Sequence, residues 1–165
     1  MRHVERPTVE EQIVVAAPPE RIWPLVSDIA FVVDTSPELQ AVEWESGDDP
    51  TPVVGRRFFG TNQNKHFGRW QTTSTVTECD EPCTFAWAVG DLDEPNTSWR
   101  FTLRPESDGT LVVQWGQLGF GDSGLHIAIK NMPDKEERIV ERRLEEFRAG
   151  MRSNLEAIKR TVEAQ

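Results

Sequence analysis

Residues 134–162 read DKEERIVERRLEEFRAGMRSNLEAIKRTV. Apolar side chains fall at Val140, Leu144, Phe147, Met151, Leu155, Ile158 and Val162, so every gap in the series is three or four residues. That spacing keeps one face of an α-helix apolar. The intervening positions are mostly Glu, Arg and Lys, as a wet face requires. Pro133 stands where a helix can begin, and Asp134 followed by Glu137 has the form of a capping box. A helix of about 28 residues at 1.5 Å each is roughly 42 Å long. Such a stripe needs a broad apolar surface to lie on.

The preceding chain supplies one. Thr8 to Ala16 is a first strand, stopped by Pro18-Pro19, which open a short helix over Glu20 to Ser27. Asp28 can cap a second short helix through Ile29 and Val33, ended by Ser36-Pro37. Strands follow at Leu39–Glu45, Val54–Asn62, Arg69–Glu78, Thr84–Val89, Ser98–Arg104 and Thr110–Gly119. Turn residues between them recur at a spacing that favours an antiparallel meander. Gly121 to Gly124 breaks the sheet, and Leu125 to Lys130 forms a short helix before the long one. The pattern is that of an α+β protein, read as one domain over residues 1–165.

Composition narrows the function classes. Twenty-eight acidic residues oppose 18 basic ones, for a formal charge of -10. That balance disfavours nucleic acid and anionic lipid surfaces as partners. No apolar run approaches the roughly 18 residues of a membrane span, and Met1 to Glu10 is too polar for a secretory signal. A cytoplasmic location without membrane insertion is expected. Six Trp and eight Phe stand beside no Tyr, so the interior is bulky and short of phenol donors. Cys79 and Cys83 have no second cysteine pair or His cluster to complete a zinc set. They read as reduced thiols flanking a turn, and neither metal nor cofactor is expected.

Strand alternation says which side chains share a face. Placing bulky residues inward groups Phe58, Gly60 and Asn62 with Trp70, Thr72, Ser74 and Val76. The later strands add Phe85, Trp87 and Val89, then Trp99, Phe101 and Leu103, then Leu111, Val113 and Trp115. Asn62, Thr72, Ser74 and, further on, Gln117 are the polar members. A few polar groups in an apolar space are the usual make-up of a ligand pocket. Arg56 shares parity with Phe58 and is expected at the pocket mouth, where a guanidinium can hold a carboxylate, phosphate or enolate. His66 belongs to a polar hairpin loop, and His126 to the short helix. Glu43 and Glu45 form one wet face beside Trp44. No nucleophile elbow, phosphate loop or metal-ligand spacing is present.

Order and motif together resemble a family. The motifs are Ala17 to Trp23 (APPERIW), Val26-Ser27-Asp28, Ser36-Pro37-Glu38 and Gly55 to Phe58 (GRRF). Gly60-Thr61-Asn62, Trp70 to Val76 (WQTTSTV), Cys79 to Pro82 (CDEP) and Phe85-Ala86-Trp87 continue them, with the final helix. Over roughly residues 8 to 160 the chain resembles the START-like superfamily (SRPBCC), and within it the bacterial polyketide cyclase/dehydrase-like branch. The resemblance implies a helix-grip fold: a curved antiparallel sheet of about seven strands wrapped round the long C-terminal helix, with two short helices after the first strand. It says less about activity, because the branch contains cyclases, aromatases and lipid carriers.

Three functions stay open. The first is binding of a small hydrophobic or amphipathic ligand, lipid-like or aromatic polyketide-like, in a cavity between sheet and helix. Its expected walls are Phe58, Asn62, Trp70, Thr72, Ser74, Trp87, Trp99, Trp115, Phe147 and Met151, with Arg56 at the mouth. The second is a polyketide cyclase, aromatase or dehydratase using the same cavity, with Arg56, Asn62 or Ser74 steering a reactive chain. The absence of Tyr weakens that comparison. The third is an interaction module with a filled core and no ligand. A monomer and a homodimer built on the helix stripe are both compatible with the pattern.

Overall fold

The computed structural model describes residues 1–165. Seven strands form one sheet: β1 (Thr8–Val15), β2 (Leu39–Trp44), β3 (Arg57–Asn64), β4 (Gly68–Asp80), β5 (Thr84–Gly90), β6 (Pro95–Glu106) and β7 (Gly109–Leu118). Their spatial order is β1-β7-β6-β5-β4-β3-β2, and every neighbouring pair is antiparallel. Sequential strands pair as hairpins from β2 to β7, and β1 returns to close on β7. The helices are α1 (Pro19–Val26), α2 (Gly124–Asn131) and α3 (Glu136–Glu163). This is the helix-grip arrangement, with α3 packed along the sheet.

The α3 stripe is buried along its length, from Val140 to Val162. Asn154 interrupts it as the one buried polar residue on that face. The start of α3 differs from the capping-box expectation. Pro133–Lys135 forms a separate 3-10 turn, and Lys135 stands at the N-cap with no side-chain hydrogen bond. Glu136 instead meets Arg2, whose Nε donates to Glu136 Oε2 at 2.7 Å. The second short helix reduces to a 3-10 turn at Phe31–Val33, after Asp28 Oδ1 accepts from the Ala30 amide. Strand β3 begins at Arg57 rather than Val54, because Gly55 (φ 90°) takes the chain through a turn there.

Alternation holds on β3, β4, β5 and β6 and fails on β7. Trp99 pairs with Gly116, and Arg100 pairs with Trp115. The cavity face of β7 therefore carries Val112, Gln114, Gly116 and Leu118. Trp115 lies on the outer face, with the Arg100 guanidinium 4.5 Å above its ring. Gln117 is also outside, donating to the Arg6 carbonyl at 3.2 Å. Steric volume decides the register. A Cβ at Gly116 would stand 2.8 Å from Trp99 Cζ3 and 3.3 Å from Met151 Cε, so only glycine fits beneath that ring. Placing the bulkiest residues inward on every strand would put two indoles in one space.

The buried apolar residues form two separate groups. One joins Val15, Ile22, Trp23, Phe85, Phe101 and Val112 to the C-terminal half of α3. The other joins Val9, Leu118 and Leu125 to its N-terminal half. Trp87 packs on the first group and Trp99 on the second. The two indoles lie stacked, with centroids 6.5 Å apart and planes at 26°. A cavity opens beside that junction.

Candidate functional site: the cavity between sheet and helix

The cavity measures about 710 Å³. Its walls come from β2 to β7, the segment before β2, the N-terminal end of α2, and α3. Phe58, Asn62, Trp70, Thr72, Ser74, Trp87, Trp99, Phe147 and Met151 all line it, as expected from alternation and the helix stripe. Trp115 does not, for the reason just given. Arg56 does not either. Its guanidinium lies 4.1 Å above the outer side of the Trp44 ring, and it donates to the carbonyls of Thr51 and Gly47 and to Ser46 Oγ. The β2–β3 connection thus folds back over Arg56 and holds it by three hydrogen bonds away from the cavity lining.

Aromatic contacts shape the apolar wall. Phe147 meets Trp99 edge-on at 4.7 Å, and Phe58 lies 6.3 Å from Trp87. At the tip of the β3–β4 hairpin, Phe67 packs edge-on against Trp70 at 6.0 Å. Phe67 also closes on α2: a Cβ at Gly124 would stand 2.7 Å from its ring. That contact joins the hairpin to the helix across the cavity.

Polar groups are few and of two kinds. Deep in the cavity, Ser74 is 3 % exposed and Gln114 is 4 % exposed. Gln114 Oε1 accepts from Asn154 Nδ2 at 3.4 Å, and Asn154 Oδ1 accepts from Thr35 Oγ1 at 2.9 Å. The Gln114 Nε2 end and the Ser74 hydroxyl have no partner within the protein. No fully enclosed side-chain polar atom is left unpaired. Both groups therefore reach cavity space, where a ligand or water can satisfy them. Asn62 Nδ2 leans toward Thr72 Oγ1 at 3.4 Å, so its carbonyl oxygen is also free.

The second kind lies at the rim. Arg143 donates to Glu38 through both terminal nitrogens and to Glu146 Oε2 at 2.6 Å. Asn64 Nδ2 adds a hydrogen bond to Glu38 Oε1 at 2.8 Å. The same guanidinium lies 4.5 Å from the Phe147 ring centroid and 5.2 Å from that of Phe67. It thereby ties α3, the segment before β2 and the β3–β4 hairpin together. Sequence reasoning missed this cluster. Arg143 and Glu146 are one helical turn apart, a readable pair. Glu38 lies 105 positions away from Arg143, and no local pattern announces it.

The histidines stay outside the cavity. His126 is exposed on α2, and His66 Nε2 lies 3.8 Å from Glu146 Oε1 without lining the cavity. No group of three or more His, Cys, Asp or Glu is clustered as a metal site would need. Cys79 and Cys83 are free thiols at the β4–β5 turn.

The model of the family described as polyketide cyclase/dehydrase and lipid transport matches residues 6–163. The chain belongs to that family. A similar solved structure of the family is the polyketide cyclase-like protein Cgl2372 from Corynebacterium glutamicum. It is 29% identical, with a TM-score of 0.66, and the match covers 94% of this chain and 91% of that one. The two-domain aromatase/cyclase BexL from the BE-7585A biosynthetic pathway superposes with a TM-score of 0.72 at 15% identity. There the match covers 96% of this chain and 50% of the other, so this chain is similar to half of BexL. The protein named Ara h 8.0201 superposes with a TM-score of 0.60 at 16% identity, covering 96% and 99%. At those identities BexL and Ara h 8.0201 show a shared fold. Comparison with curated protein sequences finds no match.

Proposed function

We propose that this family member binds a small apolar or amphipathic molecule in the cavity between sheet and α3. One observation carries the proposal: a space of about 710 Å³ walled by Trp70, Trp87, Trp99 and Phe147, into which Ser74 and Gln114 present unpartnered polar groups. That volume falls in the range of small-molecule sites. Burial of the ligand's apolar surface supplies the affinity, at roughly 25 cal/mol per Å² before ordering costs. Ser74, Gln114 and Asn62 orient it. An interaction module with a filled core would have no reason to hold such a space.

A cyclase or dehydratase is the second reading, favoured by the same polar trio facing an enclosed apolar volume. The Ser74 hydroxyl and the Gln114 amide can donate to carbonyl oxygens of a folded poly-ketone chain, and the Asn62 carbonyl can accept from an enol hydroxyl. Arg56 lies outside the cavity lining and is held by the β2–β3 connection, so it has no place in this reading. Turnover separates the two functions: a carrier returns its ligand unchanged, and an enzyme releases a cyclised or dehydrated product.

The test is titration with the neutral dye N-phenyl-1-naphthylamine, read by quenching of tryptophan fluorescence. Saturable 1:1 binding that is weakened by Met151→Trp, whose larger ring takes up cavity volume, supports the cavity as the site. Binding that is absent, or indifferent to Met151→Trp in a folded variant, overturns it.

A further inference from the structure

The charged side chains in the cavity wall are unevenly matched. Asp28, Glu38, Asp122 and Glu146 line it, against the single cation Arg143. Arg143 is already held by Glu38 and Glu146 together, so it offers no free positive charge to an incoming anion. Arg142 Nε at 4.0 Å and His66 Nε2 at 3.8 Å approach Glu146 Oε1, and neither residue lines the cavity. Even with Arg142 counted, the rim remains negative. Deeper in, the polar groups that lack protein partners are the neutral Ser74 hydroxyl and Gln114 amide, both more than nine-tenths buried. Nothing in the cavity is arranged to receive a carboxylate or phosphate, whereas a neutral or cationic head group meets carboxylates at the mouth and hydrogen-bond partners within.

Resting on the binding function above, we propose that the cavity selects ligands by head-group charge: neutral and cationic amphiphiles enter, and anionic ones are refused. The wall carboxylates act over a few ångströms in a half-enclosed space, where the effective dielectric is well below that of water. A charged amine and a charged carboxylate on the same chain both lose hydration on entering, so their difference isolates the sign of the wall. A discrimination of about tenfold or more between them is expected at low salt, narrowing as salt rises because the rim is reached by counter-ions.

The experiment displaces N-phenyl-1-naphthylamine with decylamine, decanol and decanoate at about pH 7. Expected is displacement by decanol and decylamine, with decanoate at least about tenfold weaker than decylamine. Replacing Glu38→Gln and Glu146→Gln together should bring decanoate closer to decylamine, as should raising salt from about 20 to about 300 mM. Equal displacement by all three overturns charge selection and leaves the cavity as a binding site. A gap that persists unchanged in the double variant and in high salt also overturns it, because the wall carboxylates would then not be its source. Failure of the dye itself to bind removes the cavity function and this inference with it.

Discussion

The Trp99 indole lies across Gly116, with Cζ3 2.8 Å from where a Cβ on that residue would stand. The contact joins β6 to β7 at the centre of the cavity wall and presses Trp99 toward Phe147 and Met151 of α3. A methyl group at position 116 must therefore push the indole into the cavity. Gly116→Ala should lower stability by about 1–3 kcal/mol, the usual range for overpacking. It should also weaken dye binding, because the displaced ring takes the ligand's space. Chemical denaturation and dye titration of the variant check both effects.

Gln114 is one of the two deeply buried polar contacts offered to a ligand, with Ser74. Gln114→Leu keeps the side-chain volume and removes the amide. Naphthalene should bind the variant as it binds the parent. The advantage of 1-naphthol over naphthalene should shrink by about 1 kcal/mol, the typical net worth of one neutral hydrogen bond. Competition against the dye measures the two affinities.

Arg143 holds together three parts of the rim. Arg143→Leu leaves Glu38 and Glu146 facing one another without the cation they share, in side chains 20% and 24% exposed, with Arg142 still 4.0 Å from Glu146. A loss of about 1–2 kcal/mol is expected, between the values for exposed and for buried pairs. Faster dye entry and exit should accompany it, since the hairpin and helix lose their tie. Thermal melting and stopped-flow fluorescence read these out.

The legible parts of this chain are those where bulky side chains lie on one face only. The α3 stripe could be read residue by residue because its opposite face is charged. The cavity face of β3 to β6 followed from bulky residues alternating with Thr, Ser, Arg and Ala. On β7 both faces carry apolar side chains, and Val112 and Val113 are both buried. Alternation alone cannot then say which is inside, and the answer lay in a neighbour, Trp99 over Gly116. Arg56 and Arg143 show the same limit. Parity puts Arg56 at the cavity mouth, yet carbonyls of its own loop hold it; Arg143 falls among the charged positions of the α3 pattern, yet it meets a carboxylate 105 positions away.

The two thiols at the β4–β5 turn should differ in reactivity. Burial first, and then the charges of Glu81 and Asp80, push the Cys79 thiol above its ordinary value. Cys79 Sγ also lies 3.5 Å from the Pro52 carbonyl. Cys83 is exposed. Iodoacetamide at neutral pH should modify Cys83 well before Cys79, as peptide mass mapping can show. A thiol whose folded value is raised stabilises the fold below its unfolded value, and that contribution is lost as pH rises through the folded one. Cys79→Ala should therefore flatten the alkaline limb of the stability profile above about pH 9.

Native mass spectrometry of the gently purified protein, with extraction and identification of whatever is bound, tests the central claim most directly. A stoichiometric apolar or amphipathic adduct, lost in Met151→Trp and bearing a neutral or cationic head, is the predicted result. An apo mass that does not shift when neutral lipids and aromatic polyketides are offered would contradict it.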